Sequence, residues 1–472
     1  MDLSRRHFLD FTASGLGTAA LMSLLGDEAR GSVEMRVGFP NHRPRARRAI
    51  HICLMGGLSQ VDSFDYKPEL AKFHGKAPPD SVKPDTFFGS AGLMRANEWE
   101  FKQRGESGLW VSDLFPHLAG VADELTVIRS MHSESANHTP ASFLQNTGFQ
   151  MNGFPSLGSW LSYGLGNESE SLPTFIVLPD ARSLPNNGSS NWSSGFLPAQ
   201  HQGALFGSGD QPIRNLFAPE GTPAEAEREA REFLGKLNRR HSIARPEEDL
   251  LAARIQAYEI AARMQVSVPE VVDFSDEPGH ITSMYGIDRE ATADCARRCL
   301  LARRLLERGV RFVQLFSGGA FGGTPRHGWD GHENNGLNHT REAGLIDQPV
   351  AALIRDLKQR GMLEDTVVLF TSEFGRTCFT QAPAGELGLG RDHNPEGFTV
   401  WMAGGGLKKG FAYGATDEVG WKAVQDPVSW PDFHATVLHL LGLDHERLTF
   451  YHNGIQRRLT NVHGHVVSEL LA

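Results

Sequence analysis

Six short, nearly continuous apolar runs constrain this chain more than anything else in it: "RRAIHICLMGG", "LTVIRSMH", "PTFIVLPD", "GVRFVQLFSGG", "DTVVLFTSEFG" and "GFTVWMAGGG". Each is rich in Val, Ile or Phe and ends in Gly, Ser, Asp or Glu. A strand with one wet face alternates; runs without that alternation belong in a sheet covered on both faces, as parallel sheets are. Between several of the runs, apolar residues recur at helical spacing. In "LIDQPVAALIRDLKQRGML", Leu345, Ile346, Val350, Leu353, Ile354 and Leu357 share one face, and Gly361 is placed to cap the end before a strand at Val367. "EEDLLAARIQAYEIAARMQV" and "CARRCLLARRLLERG" carry the same period. Strand–helix alternation predicts an α/β fold with a mostly parallel central sheet, whose ligands gather outside the carboxyl ends of its strands.

The chain has 472 residues, which suits one large α/β unit with long loop insertions. A net charge of −10 with no basic stripe argues against a nucleic-acid partner. The arginines of "DCARRCLLARRLLERGVR" read as a solvated helix face. Four cysteines without a C-x-x-C make neither a disulfide framework nor a thiolate zinc site. Cys53 reads as a small buried hydrophobe, and Cys295 and Cys299 as neighbours on one helix face, where helix geometry disfavours a bond between them. At the start, "SRRHFLDF" has the twin-arginine export pattern, followed by "TASGLGTAALMSLLG", which is too short and weakly apolar to be a membrane span. We assign residues 1–32 to this signal and its linker, and residues 33–472 to one domain. No A-x-A cleavage site follows, so retention as an anchor stays open. Regions 67–110 and 181–222 lack periodicity; the second is read as a long loop at the mouth of a site.

Polar residues cluster just past the runs. Ser59, Gln60, Asp62 and Asp65 follow the first; Asp330, His332 and His339 follow "VRFVQLF"; Ser372, Glu373 and Arg376 follow "TVVLF", with Asp392 and His393 soon after. Carboxylates mixed with imidazoles at several strand ends suit a divalent ion, zinc first, with manganese or calcium as alternatives for a more oxygen-rich set.

The stretches "HICLMGGLSQVDSFDYKP", "WDGHENN", "LFTSEFGRT", "GRDHNPEGFTVWMAGGG" and "PDFHATVLHLLGLDHERLT" carry a resemblance. The chain resembles the exported bacterial family called domain of unknown function 1501, sulfatase-like and of the alkaline phosphatase superfamily. The likeness runs from the twin-arginine pattern to about Val467. It implies an alkaline-phosphatase-like three-layer α/β/α sandwich and one or two metal ions. Carried over residue by residue, Asp330, His332 and His393 form one site. The superfamily's histidine four positions after the aspartate is Asn334 here, so His332 or His339 must substitute. Asp62 or Asp65 with Glu373 forms a second site, short of one histidine because Phe374 stands where the superfamily has it. "SESANHTPASFLQNTG" keeps the frame of a sulfatase nucleophile loop, with Pro140, Thr147 and Gly148 in register and His138 in the cysteine's place. Formylglycine needs Cys or Ser, so it cannot form at His138. The candidates for a nucleophile are then His138 and Thr139, the latter held extended by Pro140. "SANHTP" also reads simply as a capped helix start. Arg376 is the candidate clamp for an anionic ester oxygen.

The expected function is an exported, metal-dependent hydrolase of sulfate, phosphate or related anionic esters, released to the periplasm or cell envelope by the twin-arginine machinery. The alternative is a catalytically silent relative that binds anionic or sulfated polysaccharide or other envelope proteins.

Overall fold

The computed structural model describes residues 39–82, 91–207, 223–244, 267–319 and 328–472, with single positions 86, 213 and 264. The twin-arginine segment and nearly all of the helical pattern over 247–266 lie outside the described residues.

Within these, strands β1 (Arg48–Leu54), β2 (Leu125–Met131), β3 (Phe175–Leu178), β4 (Ala204–Leu205), β5 (Phe312–Ser317) and β6 (Thr366–Ser372) join a central sheet. A hairpin follows, β7 (Gly375–Thr380) and β8 (Arg391–Asn394), and then β9 (Phe398–Gly404) and β10 (Phe411–Tyr413) return to the sheet. Its order is β10-β2-β9-β6-β1-β5-β3-β4. Every pairing is parallel except the two made by β9, which runs against β2 and β6. The six apolar runs are thus six strands of one mostly parallel sheet.

Helices cover both faces. Ile50, Ile52 and Leu54 of β1 pack with α3 (Ala293–Glu307) and α4 (Asn335–Gln359) on one side. Ala49 and Cys53 point the other way, into the core shared with α1 (His138–Thr147), α2 (Leu157–Leu165) and α5 (Trp430–Leu440). This is a three-layer α/β/α sandwich. Gly361 stands just past α4 with φ 68°, a left-handed stop that a side chain would strain.

The arginines of α3 are not a solvated face. Arg298, Arg303 and Arg304 are buried and paired with Asp294, Asp356, Glu277 and Asp276. Burial is tolerable because carboxylates meet each guanidinium. Cys295 and Cys299 do share a face, with sulfurs 3.9 Å apart and unbonded.

Strand register positions the site. Leu54 lies opposite both Ser317 and Ser372, so β1, β5 and β6 end at one level. β2, reversed twice through β9, runs in their direction and delivers the start of α1 to the same edge.

Candidate metal centre

At that edge, three segments bring His138, Asp330, His332 and His393 together, with one ligand atom of each within 4.8 Å of the others. The loop carrying Asp330 and His332 is drawn under β1 by a Trp329 amide bond to the Met55 carbonyl, 2.8 Å. This approach explains the paired glycines after β1. Gly56 has φ 121°, and a Cβ there would sit 2.5 Å from the Asp330 nitrogen. His393 is placed by the β7–β8 hairpin, where it lies opposite Arg376. His138 opens α1, whose N-cap is Asn137 accepting from the Thr139 amide.

The ring nitrogens facing away from the centre fix which nitrogens face it. His393 Nδ1 lies 2.6 Å from the Ala136 carbonyl, an acceptor only, so Nδ1 carries the proton. His332 Nδ1 meets the Gln381 side-chain oxygen, and His138 Nδ1 donates to Glu373 Oε1 at 2.9 Å. In the neutral rings all three Nε2 lone pairs therefore point inward. Asp330 Oδ1 lies 2.8 Å from His332 Nε2 and 3.4 Å from each of His393 Nε2 and His138 Nε2. His332 and His393 bring their Nε2 atoms to 2.9 Å of each other. At that distance the two nitrogens share either a proton or a metal ion. Ligand atoms of a tetrahedral zinc site, with bonds of about 2.0–2.2 Å, stand about 3.3 Å apart, so the set fits.

Electrostatics agree. Burial pushes the Asp330 carboxyl up, but the Arg376 guanidinium and the imidazoles outweigh it and hold it well below the usual carboxylate range. Burial drives His393 well below the ordinary imidazole value, leaving it neutral. Burial also opposes charge on His138, yet its bonds to Asp330 and Glu373 win and raise it, so without an ion a proton takes up the negative charge.

Of the other expected residues, Glu373 stands behind His138 rather than in the cluster, and its Oε1 also accepts from the Gly56 amide at 2.8 Å. Asp62 and Asp65 lie elsewhere: Asp62 is bound by Arg391, and Asp65 by Lys67 and Thr416. Arg376 is fully buried and turned inward, donating to Asp330 Oδ1 at 2.6 Å and to the carbonyls of Gly56, Gly57 and Arg391. It has no face left for an ester oxygen and acts through Asp330. Thr139 is exposed, and it lies in the first helical turn rather than in extended backbone. Pro140 fits there because a proline at the third helical position lacks only an amide that has no intrahelical acceptor. The loop expected at the mouth does reach this point, with Asn187 donating to the Thr139 carbonyl at 3.1 Å. Phe374 packs its ring against both His138 and His393, at 4.9 and 4.4 Å between centroids. Sequence reasoning missed Gln381 and the Ala136 carbonyl; the first stands just past β7 as a polar residue, and the second leaves no signal at all.

The family model described as protein of unknown function (DUF1501) matches residues 46–471. The chain belongs to this family. No curated protein matches the sequence. Among solved structures, the lipoteichoic acid synthase LtaP from Listeria monocytogenes aligns over 94% of this chain and 80% of its own at 10% identity, TM-score 0.36. The PsFucS1 sulfatase from Pseudoalteromonas sp. aligns over 91% and 72% at 14% identity, TM-score 0.37. An alkaline phosphatase from the Antarctic bacterium TAB5 aligns over 84% and 98% at 10% identity, TM-score 0.33. These superpositions are loose. Among the described residues no helix is long and apolar enough to cross a membrane.

Proposed function

We propose that this protein is an exported, metal-dependent hydrolase of sulfate, phosphate or related anionic esters, sulfated polysaccharide among them. Residues 1–32 would serve as its twin-arginine signal and 33–472 as the working domain, in the periplasm or cell envelope. The observation that carries the reading is the convergence of three Nε2 lone pairs on one carboxylate oxygen, each ring held in that tautomer from behind. A bound divalent ion, zinc first, supplies Lewis-acid polarisation of an ester oxygen and of water.

The chain's own residues divide the work. Asp330, His332 and His393 would be the ligands, with side chains 2, 5 and 1% exposed; His138, at 12%, stands at the rim as a non-ligand in this reading. With Nδ1 anchored on Glu373, His138 holds Nε2 3.4 Å from Asp330 Oδ1 at the rim of the centre, where it would accept a proton from a substrate or water drawn in there. Thr139, exposed beside it, is the candidate hydroxyl nucleophile. Arg376 keeps Asp330 ionised, and Phe374 excludes water from one flank of the imidazoles.

A second reading also has an observation behind it. His138 Nε2 lies as near to Asp330 Oδ1 as His393 Nε2 does, 3.4 Å. Four protein ligands would close the site, as in structural zinc centres, and the protein would bind an anionic ligand without turnover. His138→Ala separates the two. The hydrolase reading expects the variant to keep its zinc and lose turnover of an aryl phosphate or sulfate by about 10²–10⁴-fold. The closed-site reading expects no turnover in either protein and a large loss of zinc affinity. A folded wild-type protein that takes up no metal would sink both.

A further inference from the structure

A second metal site is expected at Asp62 or Asp65 with Glu373, and His339 is the remaining imidazole at this edge. All four are engaged by the protein itself. Asp62 is fully buried, and its Oδ2 accepts from Ser59 Oγ at 2.6 Å, Arg391 Nε at 2.9 Å and Asn335 Nδ2 at 3.0 Å. Its Oδ1 accepts from the Glu98 amide at 3.0 Å and from Arg391 at 3.3 Å. Asp65 pairs with Lys67 at 3.2 Å and accepts from Thr416. Glu373 is held by His138 and the Gly56 amide. His339 Nε2, the nitrogen that would coordinate, accepts from the Ser59 amide at 3.0 Å.

The Arg391 guanidinium is fully buried too, and what Asp62 leaves of it is taken by backbone carbonyls of Thr377, Arg95 and Ala96. It stands two residues before His393 on the bulged end of β8, and its amide binds the Gly331 carbonyl between Asp330 and His332 at 3.2 Å. The same short strand therefore supplies a metal ligand and a fixed cation. We infer that Arg391 is a built-in counter-ion where a second metal would otherwise bind, so that the centre is mononuclear and Asp62 is a positioning residue. A second divalent ion at Asp62 would have to displace a bidentate guanidinium, which buried carboxylates hold by both geometry and charge.

The inference rests on the proposed metal centre, and the test is built so that the two fail differently. Purified wild-type, Asp62→Asn and His393→Ala proteins are dialysed against excess zinc, and separately manganese, freed of loose metal by gel filtration, and analysed by mass spectrometry of metal per chain, beside thermal melts. The expected result is one equivalent in the wild type, still one in Asp62→Asn with a lower Tm, and none in His393→Ala. Two equivalents in the wild type with one lost in Asp62→Asn would overturn the inference while leaving the metal centre standing. Residual metal in His393→Ala that disappears in the double variant would do the same. None in a folded wild type would overturn both. Should Asp62→Asn fail to fold, the wild-type stoichiometry decides alone: one equivalent supports the inference and two overturn it, while a second equivalent gained only in Arg391→Lys, which keeps a cation but loses the bidentate fit, supports it further.

Discussion

Two clusters of charged side chains sit at the same edge of one sheet and behave in opposite ways. Around Asp330, Arg376 supplies a guanidinium, and three imidazole lone pairs converge with the carboxylate, each ring turned inward by the partner behind it. Around Asp62, donors match acceptors atom for atom, with Arg391, Ser59, Asn335 and the Glu98 amide filling both oxygens. Each carboxylate has a buried guanidinium, Arg376 or Arg391, but the first also faces three imidazole nitrogens that leave room for a further proton or metal ion. A strand-end carboxylate is thus a poor guide to metal binding until its neighbours are counted.

Substitutions that remove one charge from each cluster should break this contrast most sharply. Asp330→Ala strands the buried Arg376 guanidinium and removes the charged ligand together. We expect a loss of stability of about 3–5 kcal/mol in urea denaturation and no measurable zinc uptake. Arg391→Ala should destabilise by a similar amount, about 3–5 kcal/mol, by stranding Asp62, yet any folded fraction should still bind zinc. Equal loss of zinc in both variants would erase the distinction. Glu373→Gln is milder: the amide can no longer anchor His138 as an anion, and turnover should fall about 10–100-fold with zinc stoichiometry and the melting temperature little changed. The smallest effect belongs to the helix start. Asn137→Ala removes the N-cap of α1 and should lower stability by about 1 kcal/mol, a calorimetric shift that leaves zinc stoichiometry alone.

Much of this was legible in the sequence. Short apolar runs ending in Gly, Ser or Glu gave away the sheet because parallel strands are buried on both faces, and the same runs pointed to Asp330, His332 and His393 as residues past strand ends. Pairings across the chain were not legible. Asp62 is separated from Arg391 by 329 positions, and nothing local to "SQVDSFD" distinguishes a metal ligand from half of an ion pair. Arg376 looked like an anion clamp because its partners are backbone carbonyls of Gly56 and Gly57, which no pattern announces. His138 was ambiguous for the same reason: its role follows from Glu373 behind it and Asp330 before it, two residues contributed by loops distant in the chain. Helical spacing revealed α3 but not that its arginines face carboxylates of neighbouring segments.

The most direct test of the central claim is zinc K-edge X-ray absorption on the protein loaded with one equivalent of zinc. The account predicts three to four nitrogen or oxygen neighbours at about 2.0–2.1 Å, with multiple scattering from two or three imidazoles and no sulfur. A spectrum of six oxygen neighbours without imidazole scattering would place the ion on the surface and contradict a metal centre at Asp330.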